Sequence, residues 1–467
     1  MVSNQTKEVE RICIEIIEAV AAAVLVAHRE KCIRQPVPIV EKNVKFPLNQ
    51  MVQNQSTVGT AIRNTDHHGD FNYLLFFLFF IFLTFPNQYH YYPVLNSFFV
   101  METKYIKVEI LTPKTTDGWY LRMYHYAPSE RNVVPIPVIL CHGLAANKNS
   151  CDFGEPGSPD WERYSLAAYL SMPHDGPVFD VWVPELRGAG QPFFDPHQHP
   201  EKFHWCVDDY VDYDTPAIVE FVQQWYQRHK QERPGVFWVG KSMGGMIAYA
   251  YGETPDGQQN LKGVVTLGSP VIFGEANLFL EFLTRITPRK VSLPLRVMDV
   301  VSRSSDLSDH FRGMGANLEN IDPELFRKYV TIGMSDMLSS KVLSQFSLFF
   351  RHHTFCRYPS RPWLYDLLWK VPGVRTMVSP YSYTEHLDRF TTPLFVIAGG
   401  NDRMAPKTEM KYVVDHVGSS DVSYLECSKE QGFSADYGHL DLNLGLHARE
   451  EVYPRIYQWL IKRSKEA

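Results

Sequence analysis

Several chemistries leave no mark in this sequence. It has no CxxC pair, no P-loop, no GxGxxG following a strand and no cysteine–histidine spacing of the zinc type. The usual signatures of a dithiol centre, a phosphate cradle, a dinucleotide fold and a structural zinc site are therefore missing. A basic stripe is missing too. Lys and Arg number 46 against 52 Asp and Glu, a formal net charge of −6, which argues against a nucleic-acid partner. Cysteine is sparse and odd in number: Cys13, Cys32, Cys141, Cys151, Cys206, Cys356 and Cys427 are scattered along the chain. They read as mostly reduced, which favours a cytosolic-facing or disulfide-independent protein. The acidic run Asp208, Asp209, Asp212 and Asp214 lacks the geometry of a calcium loop and reads as a solvated approach to a helix. No metal and no cofactor is implied.

The chain has 467 residues, 45% of them hydrophobic and 13% aromatic. That is enough for one large domain with an insertion, or for two domains. Residues 1–100 form an extension unlike the rest. Ile12, Ile16, Ile17, Val20 and Val24 recur at helical spacing, and residues 35–70 are polar and aperiodic, which predicts disorder. The run Tyr73–Phe85 is uncharged, but it ends at Pro86 and is short for a membrane span of about 20 residues. It also lies too far from the N-terminus for a cleaved signal peptide. Three readings stand for it: a marginal membrane anchor or interfacial segment, a buried helix, or translated non-coding sequence. The protein is accordingly expected to be cytoplasmic or membrane-associated. Asn4-Gln5-Thr6 and Asn54-Gln55-Ser56 fit glycosylation sequons, which are common by chance.

From about residue 103 the pattern becomes regular. Val108–Leu111, Trp119–Tyr124, Pro137–Leu140, Phe179–Pro184, Val236–Val239, Leu261–Pro270, Leu394–Ala398 and Val422–Leu425 read as strands. Helices are predicted over Trp161–Leu170, from Thr215 as N-cap with Pro216 at the first helical position, and from Glu450 to Lys465. Short apolar strands alternating with helices predict an α/β fold: a mostly parallel sheet flanked by helices. Residues 103–271 and 391–467 would form this core. Residues 272–390 break the rhythm with helix-like stretches near Pro323–Tyr329 and Lys341–Phe350. They read as a helical cap over the catalytic edge, with a separate packing domain as the alternative.

Gly240-Lys241-Ser242-Met243-Gly244 follows the apolar run Val236–Val239. A G-x-S-x-G between strand and helix is a nucleophile elbow, with its glycines at close backbone approaches. Alone the pattern is weak; its position among four other ordered signals strengthens it. A serine hydroxyl needs a base and a group to orient that base, here expected in the order Ser, acid, His. Asp402 follows the strand Leu394–Ala398, and His439 lies between the last strand and the final helix. Asp388, Asp436 and Asp441 are rivals for the acid, and His447 is a rival for the base. An oxyanion needs preorganised donors. The backbone N–H of Met243 and one from Leu144 or Ala145, with Leu144 preferred, would supply them. His142 reads as a structural residue holding that loop.

Together Cys141-His142-Gly143-Leu144, Glu185–Gly190, Gly240–Gly245, Gly400-Asn401-Asp402 and Tyr437–Asp441 resemble the α/β-hydrolase superfamily. Asp214-Thr215-Pro216-Ala217 and Gly438–Asp441 are similar to its acid-lipase-like and polyhydroxyalkanoate-synthase-like branch. Those synthases usually carry cysteine as nucleophile; Ser242 here favours hydrolysis. The resemblance implies a cap between the sixth and seventh strands. Lys241 stands where many relatives have histidine, a side chain that usually points away from the chemistry, so the difference is expected to have a modest effect. Fold resemblance does not fix the substrate. The expected activity is esterase- or lipase-like hydrolysis of a carboxylic ester with an apolar acyl chain by Ser242, Asp402 and His439. An acyltransferase with the same residues, or a non-catalytic binding protein, are the alternatives.

Overall fold

The computed structural model describes residues 100–102, 106–129, 132–173, 176–189, 204–274, 292–294, 315–333, 337–369, 371 and 380–466. The expectations for the helix over residues 12–27, the polar stretch 35–70, the run Tyr73–Phe85 and the two sequons lie outside the described residues.

Eleven strands are described: β1 (Val100–Glu102), β2 (Ile106–Leu111), β3 (Arg122–Pro128), β4 (Val138–Cys141), β5 (Val181–Glu185), β6 (Val236–Lys241), β7 (Leu261–Leu267), β8 (Ser292–Pro294), β9 (Met337–Ser339), β10 (Leu394–Gly399) and β11 (Val422–Cys427). Nine of them form one sheet in the order β1-β2-β3-β5-β4-β6-β7-β10-β11. The first three and their junction with β5 are antiparallel; β5, β4, β6, β7, β10 and β11 run parallel. From β4 the chain moves outward to β5, then returns to β6 on the other side of β4. Such a reversal marks the C-terminal ends of β4 and β6 as the edge where α/β sheets gather their ligands.

The central parallel strands are largely apolar because both faces are covered. Side chains alternate between faces. Ile139, Cys141, Trp182 and Trp238 join one core cluster, while Val138, Leu140, Val181, Val183, Phe237 and Val239 join the other. The main helices are α1 (Pro159–Tyr164), α2 (Leu166–Ser171), α3 (Thr215–Lys230), α4 (Met243–Gly252), α5 (Pro255–Asn260), α6 (Pro323–Ile332), α7 (Ser340–His352), α8 (Pro362–Leu368), α9 (Lys407–His416) and α10 (Tyr453–Ser464). Ile218, Val222 and Tyr226 of α3 pack on the first face. Leu166 and Leu170 of α2, with Ile456 and Leu460 of α10, pack on the second. Each fully buried aliphatic side chain contributes about 1.5–3 kcal/mol.

The segment between β7 and β10 holds α6, α7, α8 and the short antiparallel pair β8–β9. Val342, Leu343, Phe346 and Phe349 of α7 belong to the same core cluster as α3 and the strands. Asn147 Nδ2–H donates to the Ile332 carbonyl at 2.7 Å, and the Met337 N–H donates to the Gly188 carbonyl at 2.9 Å.

Three local expectations change. The helix predicted over Trp161–Leu170 is two helices, α1 and α2. Ser165 between them is extended (φ −104°, ψ 113°), and its hydroxyl accepts from the Ala168 N–H. The same hydroxyl donates to Asp152 Oδ1 at 2.7 Å, a buried bond that an uninterrupted helix would not offer. Thr215 does not cap α3. A π-type turn over Tyr210–Asp214 precedes it, and the Thr215 hydroxyl donates to the Tyr210 carbonyl at 2.9 Å. Finally, the acidic run is not wholly solvated. Asp214 is fully buried and accepts from the Arg187 N–H (2.9 Å) and Nε (2.8 Å), while Asp208 accepts from Gln345 Nε2 (3.1 Å) and the Tyr358 N–H (2.7 Å). Such carboxylates can be buried because each has specific donors.

Candidate active site

β6 carries the chain to the sheet's C-terminal edge, and α4 leaves it immediately. Ser242 is the residue between them, at φ 53° and ψ −121°. A non-glycine residue there stores about 1–3 kcal/mol of strain, so its surroundings must hold it in place. The Ser242 N–H donates to the Leu267 carbonyl at 2.9 Å, and its carbonyl accepts from the N–H groups of Gly245 (2.9 Å) and Met246 (3.2 Å). The flanking glycines are required by close approach. A Cβ on Gly240 would lie 2.5 Å from the Gly244 backbone, and one on Gly244 would lie 2.5 Å from the Cys141 carbonyl oxygen. Both distances are shorter than real Cβ contacts.

The loop after β4 packs on the serine. A Cβ on Gly143 would fall 3.0 Å from Ser242 Cβ and 3.6 Å from its Oγ. His142 secures this loop: its Nε2 accepts from the Leu186 N–H at 3.1 Å, so its Nδ1 carries the proton donated to the Gly143 carbonyl at 2.9 Å. Burial pushes the His142 imidazole down to about 4, keeping it neutral in this role. Leu144 and Ala145 follow, Ala145 with φ 57°. Met243 is the first residue of α4, where helix geometry leaves the backbone N–H without an intrahelical partner.

Asp402 and His439 meet at the same edge. Asp402 lies just beyond β10 and is buried. Its Oδ1 accepts from the N–H groups of Met404 (2.9 Å) and Ala405 (2.8 Å). Its Oδ2 is 2.8 Å from His439 Nδ1. A carboxylate only accepts, so Nδ1 carries the proton and Nε2 keeps its lone pair. Burial lowers the His439 pKa, the Asp402 charge opposes that shift, and the Lys241 charge adds to it.

The rival acids and base sit elsewhere. Asp441 receives the Gly438 N–H at 2.9 Å and Asn320 Nδ2 at 2.8 Å. Asp436 receives the Lys429 N–H at 2.9 Å. Asp388 and His447 are exposed. Of these candidates, the structure pairs only Asp402 with the His439 ring.

Three features escaped sequence reasoning. Gly268, at the end of β7, has φ +58°; a Cβ there would lie 2.9 Å from Asp402 Oδ2 and 3.0 Å from His439 Nδ1. A glycine closing a strand on the reactive edge was the available signal. Residues between β7 and β10 grip the His439 loop. The Leu440 N–H donates to the Gly315 carbonyl at 2.7 Å, and Asn317 and Asn320 donate to Asp441. The third is Lys241: it is buried, and its Nζ donates to the His439 backbone carbonyl at 2.5 Å.

The chain is similar to several known proteins. A family model described as alpha/beta hydrolase fold matches residues 136–442. Triacylglycerol lipase 1 of Arabidopsis thaliana is 22% identical over 376 residues, covering 76% of this chain and 87% of the plant protein. Among solved structures, a thermophilic esterase from Thermogutta terrifontis is 16% identical, with 76% of this chain and 99% of that chain covered and a TM-score of 0.44. A peroxisomal alpha-beta-hydrolase from Saccharomyces cerevisiae is 11% identical, with 78% and 91% covered and a TM-score of 0.46. The sheet order, the flanking helices and the family match over residues 136–442 lead to one conclusion: the chain belongs to the α/β-hydrolase fold family.

Proposed function

We propose that this chain is a serine hydrolase of carboxylic esters with an apolar acyl chain, working through an acyl-enzyme. The observation that carries this reading is the pairing of Asp402 with His439 Nδ1, at the sheet edge that also presents Ser242 in a strained elbow. The similarity to a plant triacylglycerol lipase supports an ester substrate.

In this reading Ser242 Oγ attacks the carbonyl carbon while His439 Nε2 takes the hydroxyl proton. The Met243 and Leu144 N–H groups receive the negative charge that develops on the carbonyl oxygen. His439 then delivers its proton to the leaving alcohol. Water, deprotonated by the same nitrogen, attacks the acyl-enzyme; the acid leaves and Ser242 regains its proton. Asp402 holds the tautomer and stabilises the imidazolium that forms. Residues 272–390 act as a cap, supported by the bonds of Gly315, Asn317 and Asn320 to the His439 loop.

Hydrolysis of p-nitrophenyl esters from acetate to palmitate by the full-length chain tests this reading, and the chain-length profile separates an esterase from a lipase. Absence of turnover by folded protein would count against it. The pH profile adds a second check. His439 must be neutral to act as base, and its folded pKa is lowered from 6.5 by burial. Activity is therefore present above that folded pKa and lost as pH falls through it. The acid limb of kcat/KM, which reports the free enzyme, should lie below pH 6.5; a limb above that value would contradict the assignment.

A further inference from the structure

Lys241 precedes the nucleophile in sequence and contacts the base loop in space. Its Nζ donates to the His439 carbonyl oxygen at 2.5 Å and approaches the Leu267 carbonyl at 3.5 Å. The Leu267 carbonyl also receives the Ser242 N–H at 2.9 Å. One side chain therefore ties the end of β6, the end of β7 and the His439 loop together.

A buried ammonium is an expensive way to satisfy a carbonyl, since an apolar side chain avoids the desolvation cost. Lys241 is only 4% exposed. Among the described residues no carboxylate takes it as a direct ion pair. Asp402 is occupied by Met404, Ala405 and His439, and Asp441 by Gly438, Asn317 and Asn320. Burial pulls the Lys241 pKa down to about 8, against the charges of Asp402 and Asp441, which nevertheless lie near enough to favour its charged form. The His439 ring is fixed by Asp402 and its loop by Asp441; the backbone carbonyl of His439 itself is held by Lys241.

We propose that Lys241 is a positioning residue for the base: its ammonium anchors the His439 main chain to the nucleophile's own strand and sets His439 against Ser242. This rests on the assignment of Ser242 and His439 under the proposed function. A displacement of about 1 Å in such a group can cost about 100-fold in rate.

The test compares full-length wild type with Lys241→Met, Lys241→Gln and Ser242→Ala. Turnover of p-nitrophenyl butyrate and the rate of labelling by a fluorophosphonate are measured from pH 5 to 9. Lys241→Met should lower kcat and the labelling rate by about 10- to 100-fold with KM within about twofold. It should also move the acid limb to higher pH, because a positive charge that opposes protonation of His439 is gone. A purely structural lysine would lower stability but leave the labelling rate of the folded variant above that limb unchanged. A wild-type labelling rate above the limb in folded Lys241→Met would overturn the proposal. Should that variant fail to fold, Lys241→Gln, which keeps a donor but is too short to reach, decides by the same readout. If wild type itself neither turns over nor labels at Ser242, the hydrolase reading has failed instead, and the positioning role falls with it.

Discussion

Ser242→Ala should lower kcat for p-nitrophenyl ester hydrolysis by at least about 10⁴-fold, in line with the loss seen when the nucleophile of a serine enzyme is removed. The fold should be untouched. Ser242 makes its described hydrogen bonds through its backbone N–H and carbonyl, which alanine keeps. Equal thermal midpoints with and without the hydroxyl would separate lost chemistry from lost structure. A variant retaining more than about a tenth of wild-type kcat would mean that another group attacks the ester. Among the described residues no other serine combines a strained strand-to-helix junction with the edge where Asp402 and His439 meet.

Asp402→Asn should cost about 10³- to 10⁴-fold in kcat near pH 8, and the reason lies in the local bonds. Oδ1 of Asp402 accepts two backbone N–H groups, from Met404 and Ala405. An asparagine oxygen would keep those two donors, which turns its NH₂ group toward His439. His439 Nδ1 would then have to accept, so the ring proton would move to Nε2 and the lone pair that deprotonates Ser242 would be lost. KM for p-nitrophenyl butyrate should change little, because the carboxylate touches the base and not the acyl chain. A loss below about tenfold would remove Asp402 from the proposed triad.

The parallel strands were legible because burial on both faces demands continuous apolar runs, as in Val236–Val239 and Leu394–Ala398. The paired elbow glycines were legible because only glycine tolerates backbone at 2.5 Å. Local breaks were harder. The helical periodicity of Trp161–Leu170 continues through Ser165, and the bond that interrupts it comes from Asp152, well outside the helix. The acidic run looked solvated because the partner of Asp214 lies 27 residues upstream and that of Asp208 lies 137 residues downstream. Lys241 was least legible: a lysine beside a nucleophile gives no sign of its direction, and its partner carbonyl is 198 residues away. Motifs carry local geometry well. Contacts made by the folded chain across such distances have no counterpart in a short pattern.

The most direct measurement is to treat the folded full-length protein with a fluorophosphonate and map the adduct by peptide mass spectrometry. A single adduct on Ser242, formed at a rate that falls with the acid limb of esterase activity, is the expected result. An adduct on another residue, or none on folded protein that still hydrolyses esters, would contradict the assignment of Ser242 as the nucleophile.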